Sequence, residues 1–373
     1  MADPEKQPQV DANQELARRR GAIDALDRDL LRLLNERARQ AQAIGALKGS
    51  AAAYRPEREA QVLRALESQN AGPLSNEAVA AVFRQVMSAC LALEQKLSIA
   101  YLGPAGTFSH AAVSRHFGEL VHAEPYASID EVFRAAEAGQ TDYAVVPVEN
   151  STEGAVGRTL DLMCQTGLTI VGEIKLRIGQ HLLSRAGAAG EITRVYSHAQ
   201  SLAQCAQWLL RHLPAVPRVP ASSNAEAARL AAAEPSSAAI AGEAAAAIYG
   251  LPILIAHIED EPNNTTRFWV LGRHPIARSG RDETSLVMSA HNRPGAVHAL
   301  LEPFAKNGVS MTRLESRPAR TGLWEYFFFV DIEGHRDDAP VAAALADLRE
   351  RAPFLKLLGS YPAAPAPNGD GSR

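Results

Sequence analysis

Residues 15 to 48 contain no proline, and only Gly21 and Gly45 interrupt them. Apolar residues recur there at steps of three and four wherever they are consecutive, at Ile23, Leu26, Leu30, Leu33, Ile44 and Leu47. This spacing predicts a helix of roughly 50 Å that packs in coiled-coil fashion. The two shorter helices predicted within residues 56 to 96 cannot cover that length. The sequence therefore predicts that a second copy of the chain packs against the first.

Arg37 occupies a position of the long helix where an apolar residue is expected. It lies seven residues from both Leu30 and Ile44, which is the heptad spacing. A charge buried at such a seam is costly unless it is paired. Either a carboxylate of the protein or an anionic ligand is therefore expected to neutralise Arg37.

The two shorter helices are predicted from about Pro56 to the Gly72-Pro73 break and from about Asn76 to Lys96. With the long helix, they resemble the all-helical chorismate mutase family over residues 14 to 97. The family is fused to the front of bacterial bifunctional enzymes of phenylalanine biosynthesis. The resemblance implies an intertwined helical dimer that uses no nucleophile, metal or cofactor. It also implies a chorismate-binding set, which falls on Arg20, Arg37, Lys48, Arg58, Glu59, Cys90 and Glu94.

Geometry separates two members of that set. Arg20 and Lys48 are 28 residues apart, about 42 Å along one helix, so one of them must come from the partner subunit. Chorismate is a dicarboxylate that rearranges pericyclically, so cations and an ether-oxygen donor suffice, and Lys48 is the expected donor. The family commonly has Ser at Cys90 and Gln at Glu94. Glu94 donates a hydrogen bond only when protonated, so mutase activity is expected to fall above neutral pH.

Strands alternate with helices from Ser98 to about residue 275, and the pattern restarts near Ile174. The alternation predicts an α/β fold with a mainly parallel sheet, and the restart predicts two lobes with a crevice between them. Polar clusters follow several predicted strands, where such sheets bind ligands. Four segments resemble, in order, the motifs of prephenate dehydratases: Gly103 to Ser109, Val146 to Ser151, Tyr196 to Gln200 and Thr266 to Phe268.

This second resemblance implies a two-lobed fold like that of periplasmic binding proteins, and the elimination of CO₂ and water from prephenate. Thr266 is the expected hydrogen-bond donor to the leaving hydroxyl. Arg267 is expected to hold a carboxylate or to anchor the loop, with Phe268 packed beneath it. Glu149 is either a substrate contact or the partner of Arg267. The other expected contacts to prephenate are Thr107, Ser109, Asn150, Ser197 and Gln204.

Residues 283 to 362 follow a polar linker and show a βαββαβ pattern, which predicts a ferredoxin-like fold. They resemble the ACT domain, a regulatory module that binds small ligands in amino-acid metabolism. Two segments resemble its phenylalanine-binding motifs: Gly295-Ala296-Val297, with Val where Leu is usual, and Glu315-Ser316-Arg317-Pro318. Gly295 permits close backbone approach at a helix start, where a ligand carboxylate is favoured.

Composition excludes several other classes of protein. The net charge is −4 and the basic residues are spread along the chain, so nucleic acid is not an expected partner. The three cysteines are far apart without a CxxC pair, which argues against a disulfide framework or a zinc site. The start lacks a signal-like apolar segment, and no apolar run approaches a membrane span. A cytoplasmic location is therefore expected.

The patterns and the three resemblances together imply a mutase domain at residues 14 to 97, a dehydratase domain at 98 to 275 and a sensor at 283 to 362. Disordered tails are expected at 1 to 13 and 363 to 373. The expected protein is a bifunctional chorismate mutase/prephenate dehydratase, inhibited by L-phenylalanine, at least dimeric and without cofactor or metal. Fusion to a dehydrogenase would require a nucleotide fingerprint, and the loop after residue 102 does not match one. An amino-acid sensor without catalysis fits the lobes but not Arg37.

Overall fold

The computed structural model describes residues 7–48, 54–290, 293–318 and 326–364. The chain has three modules in order: a helical module, a two-lobed α/β module and a sensor module. No helix in these ranges is long and apolar enough to cross a membrane.

Three helices form the helical module: α1 (Gln7–Lys48), α2 (Pro56–Gln69) and α3 (Asn76–Glu94). The first begins at Gln7, so part of the segment expected to be disordered is helical. Pro56 stands in the first turn of α2, where its missing N–H costs nothing, and the Ser75 hydroxyl caps α3. Helix α3 packs on both α1 and α2. Much of the apolar stripe of α1 stays exposed, including Leu26, Leu30 and Leu33.

The two-lobed module runs from Ser98 to Gly272. Its strands are β1 (Ser98–Leu102), β2 (His122–Tyr126), β3 (Tyr143–Asn150), β4 (Gly154–Ala155), β5 (Thr169–Arg177), β6 (His181–Ser184), β7 (Arg194–His198), β8 (Arg218–Ala221), β9 (Ser237–Ala241), β10 (Ile253–Ile255) and β11 (Thr265–Gly272). Its α-helices are α4 (Phe108–Phe117), α5 (Ile129–Glu137), α6 (Gly157–Gln165), α7 (Ala199–Gln204), α8 (Ala206–His212), α9 (Asn224–Ala233) and α10 (Glu243–Tyr249).

Each lobe has its own mixed sheet. The first has the order β2-β1-β3-β11-β5, with β4 paired to β3, and the second has the order β10-β6-β9-β7-β8. The chain enters the second lobe after β5 and returns to the first as β11, antiparallel to both β3 and β5. Antiparallel pairing of β6 with β9 and β10 makes the second sheet mixed. The return of β11 makes the first sheet mixed, where the sequence predicted mainly parallel pairing. It also places β11 at the inside of the first sheet.

The sensor module has the elements β12 (Asp282–Ser289), α11 (Ala296–Lys306), β13 (Met311–Pro318), β14 (Tyr326–Glu333), α12 (Ala339–Arg351) and β15 (Phe354–Pro362). Their sheet order β13-β14-β12-β15 is ferredoxin-like, as the sequence predicts.

The sensor sheet is buried on both faces. One face packs on α11 and α12, whereas Phe329, Leu358 and Tyr361 share a core with Trp269 and Ile170 of the first lobe. Gly359 permits this close approach, because a Cβ there would lie 2.2 Å from the Ile170 carbonyl oxygen. The sensor is thus packed directly against the sheet that contains β11.

Candidate active sites and sensor site

The first candidate site joins α1 to α3. Arg37 is half-buried, and its Nη1 donates a hydrogen bond to Cys90 Sγ at 2.9 Å. Glu94 stands one turn beyond Cys90 and packs on α1 at Gly45, where a Cβ would lie 2.8 Å from Glu94 Oε2. That oxygen is buried without a hydrogen-bond partner in the described part of the chain. Within the same ranges Arg37 makes no ion pair with a carboxylate.

Among the described side chains of one chain, those of Arg20, Arg58 and Glu59 are not brought to this place. Arg20 is exposed on the free part of α1, and Arg58 is exposed on α2. Lys48 is the last residue of α1, and its side chain lies outside the described part. Glu59 faces a different cavity of about 150 Å³, between α2, α3 and β5, with Arg84 and His116. Burial raises the pKa of Glu59 to about 7, and Arg84 opposes part of the rise.

The second candidate site lies at the crevice edge of β3 and β11. Asn150 and Thr266 are register partners on these strands, and Asn150 Nδ2 donates to Thr266 Oγ1 at 2.9 Å. Thr152 donates its backbone N–H to Asn150 Oδ1 at 3.1 Å, which fixes the orientation of the amide. The Nδ2 group of Asn150 can only donate, so Thr266 Oγ1 is the acceptor of this hydrogen bond. The hydroxyl proton of Thr266 therefore stays available for another acceptor.

Asn264 belongs to the same cluster, although it was not among the expected contacts. It is buried, its Oδ1 accepts from Asn150 Nδ2 at 2.8 Å, and its Nδ2 has no hydrogen-bond partner in the described ranges. Its place two residues before Thr266, in the polar run from Asn263 to Arg267 that precedes Trp269 and Val270, is a sequence signal that could have identified it.

Four other expected prephenate contacts serve the structure as well. Thr107 caps α4 and donates to the Leu102 carbonyl at 3.1 Å. Ser197 is fully buried and donates to the Ile240 carbonyl at 2.8 Å. Gln204 Nε2 lies 3.4 Å from Glu153 Oε1, so it links the second lobe to the first. Ser109 is buried in the first turn of α4.

Arg267 points away from Thr266, as expected for adjacent residues of a strand. Its guanidinium binds the carboxylates of Asp331 and Glu173 and the hydroxyl of Tyr361, and Glu283 lies 3.6 Å away. Only 11% of the side chain is exposed. Burial alone would lower the Arg267 pKa, but Tyr361 and the three carboxylates outweigh it and hold the group charged. These partners, rather than a substrate in the crevice, occupy the guanidinium.

Neither remaining residue of this group faces the crevice as a ligand. Glu149 does not pair with Arg267: its Oε2 lies 2.8 Å from Arg313 Nε of β13. Phe268 is buried in the core beneath β11 with Val270 and Ile174, as the packing role expected for it requires.

The acidic cluster around Arg267 gives stability a pH dependence. Burial, followed by the nearby Glu173, raises the pKa of Glu283 from 4.5 to about 8. The folded protein therefore keeps a proton that the unfolded chain has lost, and stability falls as pH rises from about 4.5 to 8. We expect the wild-type Tm to fall by about 2–4 °C between pH 7 and 8.5.

Calorimetry of Glu283→Gln tests this origin, because the amide does not titrate and should flatten the decline. The exposed Glu333, which is the register partner of Glu283 on β14, gives the matched control Glu333→Gln. If Glu283→Gln declined as steeply as the wild type, Glu283 would not be the group responsible.

A cavity of about 450 Å³ separates α4 of the first lobe from α10 of the second. Leu176, the register partner of Thr266 on β5, lines it. Its cationic or imidazole side chains, none of which was expected from the sequence, are His110, Arg115, Arg177, His181 and His257. They come from three separate segments that carry no recognisable spacing, so only the fold brings them together.

Two of these histidines have a defined tautomer. His181 Nδ1 accepts the backbone N–H of His257 at 3.1 Å, and His110 Nδ1 accepts that of Gly106 at 3.3 Å. Burial lowers the pKa of both imidazoles, so they are neutral and carry the proton on Nε2. Both therefore offer an N–H donor, as binding of a carboxylate requires.

The third candidate site is on the sensor. Gly295 has the left-handed φ of 77° and precedes α11, whose first residues are Ala296 and Val297. Glu315, Ser316, Arg317 and Pro318 form the end of β13. Arg317 already binds Asp161 of α6 at 3.1 Å, so it contacts the first lobe.

Sequence and structure comparisons agree with this arrangement. The family model for chorismate mutase type II matches residues 19–95, that for prephenate dehydratase matches 99–276, and that for the ACT domain matches 284–350. The bifunctional chorismate mutase/prephenate dehydratase of Neisseria gonorrhoeae is 56% identical over 348 residues, which are 92% of this chain and 96% of the relative. The Pseudomonas aeruginosa protein of the same name is 51% identical over 350 residues, with the same two coverages.

Solved structures match the last two modules. Prephenate dehydratase from Arthrobacter aurescens in complex with L-Phe has a TM-score of 0.66 and 36% identity over 72% of this chain and 90% of that chain. A protein described as a quorum quenching acylase also has a TM-score of 0.66, with 30% identity over 72% of this chain and 98% of its own. Two proteins of the same fold are thus described with different activities. The fold alone does not identify the reaction, so the assignment of an activity depends on the side chains in the crevice.

Fold, sites and relatives together define a metabolic enzyme with two catalytic domains and a built-in amino-acid sensor. The chain belongs to the family of bifunctional chorismate mutase/prephenate dehydratases.

Proposed function

We propose that the chain converts chorismate to prephenate on its helical module and prephenate to phenylpyruvate in its crevice, under inhibition by L-phenylalanine. One observation carries the proposal. In its described ranges the chain holds a half-buried arginine that makes no ion pair beside Cys90 and Glu94, and a threonine hydroxyl that Asn150 orients at the crevice. The first suits a dicarboxylate and the second suits a leaving hydroxyl.

The mutase site is completed by a second copy of the chain. Arg37 binds one chorismate carboxylate through its planar guanidinium. Glu94 and Lys48 donate hydrogen bonds to the ether oxygen of chorismate, which gains negative charge in the transition state. Arg20 of α1 is too distant within one chain, and the exposed Leu26, Leu30 and Leu33 offer the surface that a partner α1 would cover. Arg20 then enters the site from that partner. Arg58 is exposed and Glu59 faces another cavity, so neither reaches this site in the single chain. Their contact with chorismate requires the arrangement of the dimer.

Glu94→Gln tests the role given to Glu94. The carboxyl donates only when protonated, whereas the amide donates at any pH. We expect the wild-type mutase kcat/KM to decline above neutral pH and the variant to decline much less. The dehydratase profile of the same sample is the internal control, and identical mutase profiles in both proteins would contradict this role.

In the crevice, the bond from the ring to the carboxylate breaks, CO₂ leaves, and its electron pair moves through the ring to expel the hydroxyl, which takes a proton from solvent water and leaves as water. Aromatisation drives the step. Asn150 holds the Thr266 hydroxyl by donating to it, and Thr266 donates a hydrogen bond to the departing oxygen. An isolated threonine is a poor acid, so its role is this hydrogen bond and not the net supply of the proton.

Prephenate carries two carboxylates, and Arg267 is engaged by protein carboxylates. The donors to the substrate carboxylates are therefore the neutral imidazoles of His110 and His181, which line the adjacent cavity. This proposal is supported by their common place beside Leu176, the register partner of Thr266, and by the Nε2 protons that the two tautomers provide.

Regulation and location complete the proposal. Phenylalanine binds the sensor between Gly295, Ala296, Val297 and the β13 segment Glu315 to Pro318. A cytoplasmic enzyme is consistent with three free cysteines, the state that a reducing compartment maintains.

Product analysis tests the function as a whole. Purified protein given chorismate, with no nucleotide or metal added, should form prephenate and then phenylpyruvate, and added phenylalanine should slow the second step. Absence of both products would reject the enzyme, whereas prephenate that accumulates without phenylpyruvate would reject only the crevice assignment.

A further inference from the structure

The two residues proposed for the crevice chemistry have charged neighbours on the opposite face of the sheet. Asn150 pairs with Thr266 across β3 and β11, and the next register pair is Glu149 with Arg267. Alternate residues of a strand face opposite sides. Asn150 and Thr266 thus contact each other at the crevice, while Glu149 and Arg267 both reach the sensor sheet.

In one of these contacts the first lobe supplies the cation, and in the other it supplies the anion. Arg267, a cation of the first lobe, binds the anion Asp331 on β14. Glu149, an anion of the first lobe, binds the cation Arg313 on β13. A sliding movement of the sensor sheet along the lobe would separate both ion pairs together, so the pairs specify one relative position.

The burial of Arg313 makes its contact with Glu149 important for the stability of the interface. Arg313 is only 8% exposed, and none of its guanidinium nitrogens makes a well-aligned hydrogen bond within the described ranges. Its close approach to Glu149 is therefore what compensates its charge. Glu149 is 38% exposed, so solvent partly screens the pair, but its loss would leave the mostly buried charge of Arg313 uncompensated.

The sensor motif lies on the strand that carries this contact. Arg313 precedes Glu315 by two residues on β13, and Arg317 of the same motif binds Asp161 on α6. A ligand that moves the end of β13 therefore moves Arg313 relative to Glu149, next to Asn150. The pairing of β13 with β14 is irregular between Met311 and Arg313, and that of β11 with β3 is irregular after Arg267. Local adjustment is easiest at such irregularities.

We infer that Glu149 and Arg267 are positioning residues: through Arg313 and Asp331 they hold Asn150 and Thr266 at hydrogen-bond distance, and they transmit the state of the sensor to the crevice. The inference rests on the crevice and sensor functions proposed above. It assigns Glu149 and Arg267 to the interface between the modules, not to substrate binding.

A charge-exchange cycle tests this directly. Glu149→Arg and Arg313→Glu each place two like charges together. The double variant restores an ion pair, with the cation now on the first lobe and the anion on the sensor. We expect each single variant to lower dehydratase kcat and to raise the phenylalanine concentration for half-inhibition, each by about tenfold, with little change of KM for prephenate. The double variant should recover both quantities to within about threefold.

Two controls separate coupling from damage to the fold. Chorismate mutase activity of each sample reports folding of a module that does not contain the pair. Lys306→Glu disrupts the ion pair between the exposed Lys306 and the less exposed Asp347 on the helical side of the sensor, and it should leave all quantities unchanged.

The outcomes are distinguishable. Wild-type kcat and inhibition in both single variants would overturn the inference, and so would a double variant that stays defective while its mutase is intact. If the wild type converts prephenate but is insensitive to phenylalanine, the proposed sensor function fails, and the recovery of kcat alone decides the positioning role.

Discussion

Replacement of Thr266 by alanine is expected to lower the dehydratase kcat by about 10²- to 10⁴-fold, the range for loss of a positioned proton donor. The Thr266 hydroxyl accepts from Asn150 and keeps its own proton for the leaving group. Alanine preserves the strand but removes that donor, so KM for prephenate should change far less than kcat. Steady-state kinetics with prephenate measure the effect.

Thr265 supplies the matched control for this variant. It is adjacent and has the same side chain, but its hydroxyl donates to the Asn263 carbonyl at 3.2 Å. Thr265→Ala should retain dehydratase activity within about threefold, because the hydroxyl that it loses bonds a backbone carbonyl and not Asn150. Equal losses in the two variants would show that Thr266 acts through the backbone of the strand and not through its hydroxyl.

Replacement of Arg37 by alanine is expected to lower mutase kcat/KM by about 10²- to 10³-fold and to spare the dehydratase. The half-buried guanidinium contacts Cys90 Sγ and has no carboxylate partner in the described ranges, so its charge remains available to chorismate. Alanine is also a better seam residue than arginine, so the fold should not suffer. The two activities, measured on one sample, separate catalysis from folding.

Arg39→Ala is the control on the same helix. Arg39 is exposed and pairs with Glu36 at 2.9 Å, an interaction of small energy. Its mutase activity should stay near the wild-type value. A loss in Arg39→Ala as large as that in Arg37→Ala would mean that α1 is generally sensitive and would remove the case for a specific contact.

Periodicity predicted the modules and most of their elements because those depend on local spacing. The long helix, the strand-helix alternation and the ferredoxin-like order all follow from residues close in sequence. The mixed sheets were missed because the return of β11 from the second lobe is a property of topology, which the spacing of residues does not encode.

The candidate sites could be predicted only in part for the same reason. Asn150 and Thr266 lie at strand ends in polar clusters, and the fold brings them together over 116 positions of sequence. Arg267 has the same local signal, but its partners Asp331 and Tyr361 belong to another module, so the sequence could not show which way it points. His110 and His181 lack any local pattern and meet only at the lobe boundary.

Amide hydrogen exchange across residues 263 to 272, with and without phenylalanine, tests most directly whether β11 joins catalysis on one face to regulation on the other. Saturating phenylalanine should change the exchange rate of these amides, while amides of α1 keep theirs. Equal rates in this segment with and without phenylalanine, in a protein whose dehydratase is inhibited, would contradict control through β11.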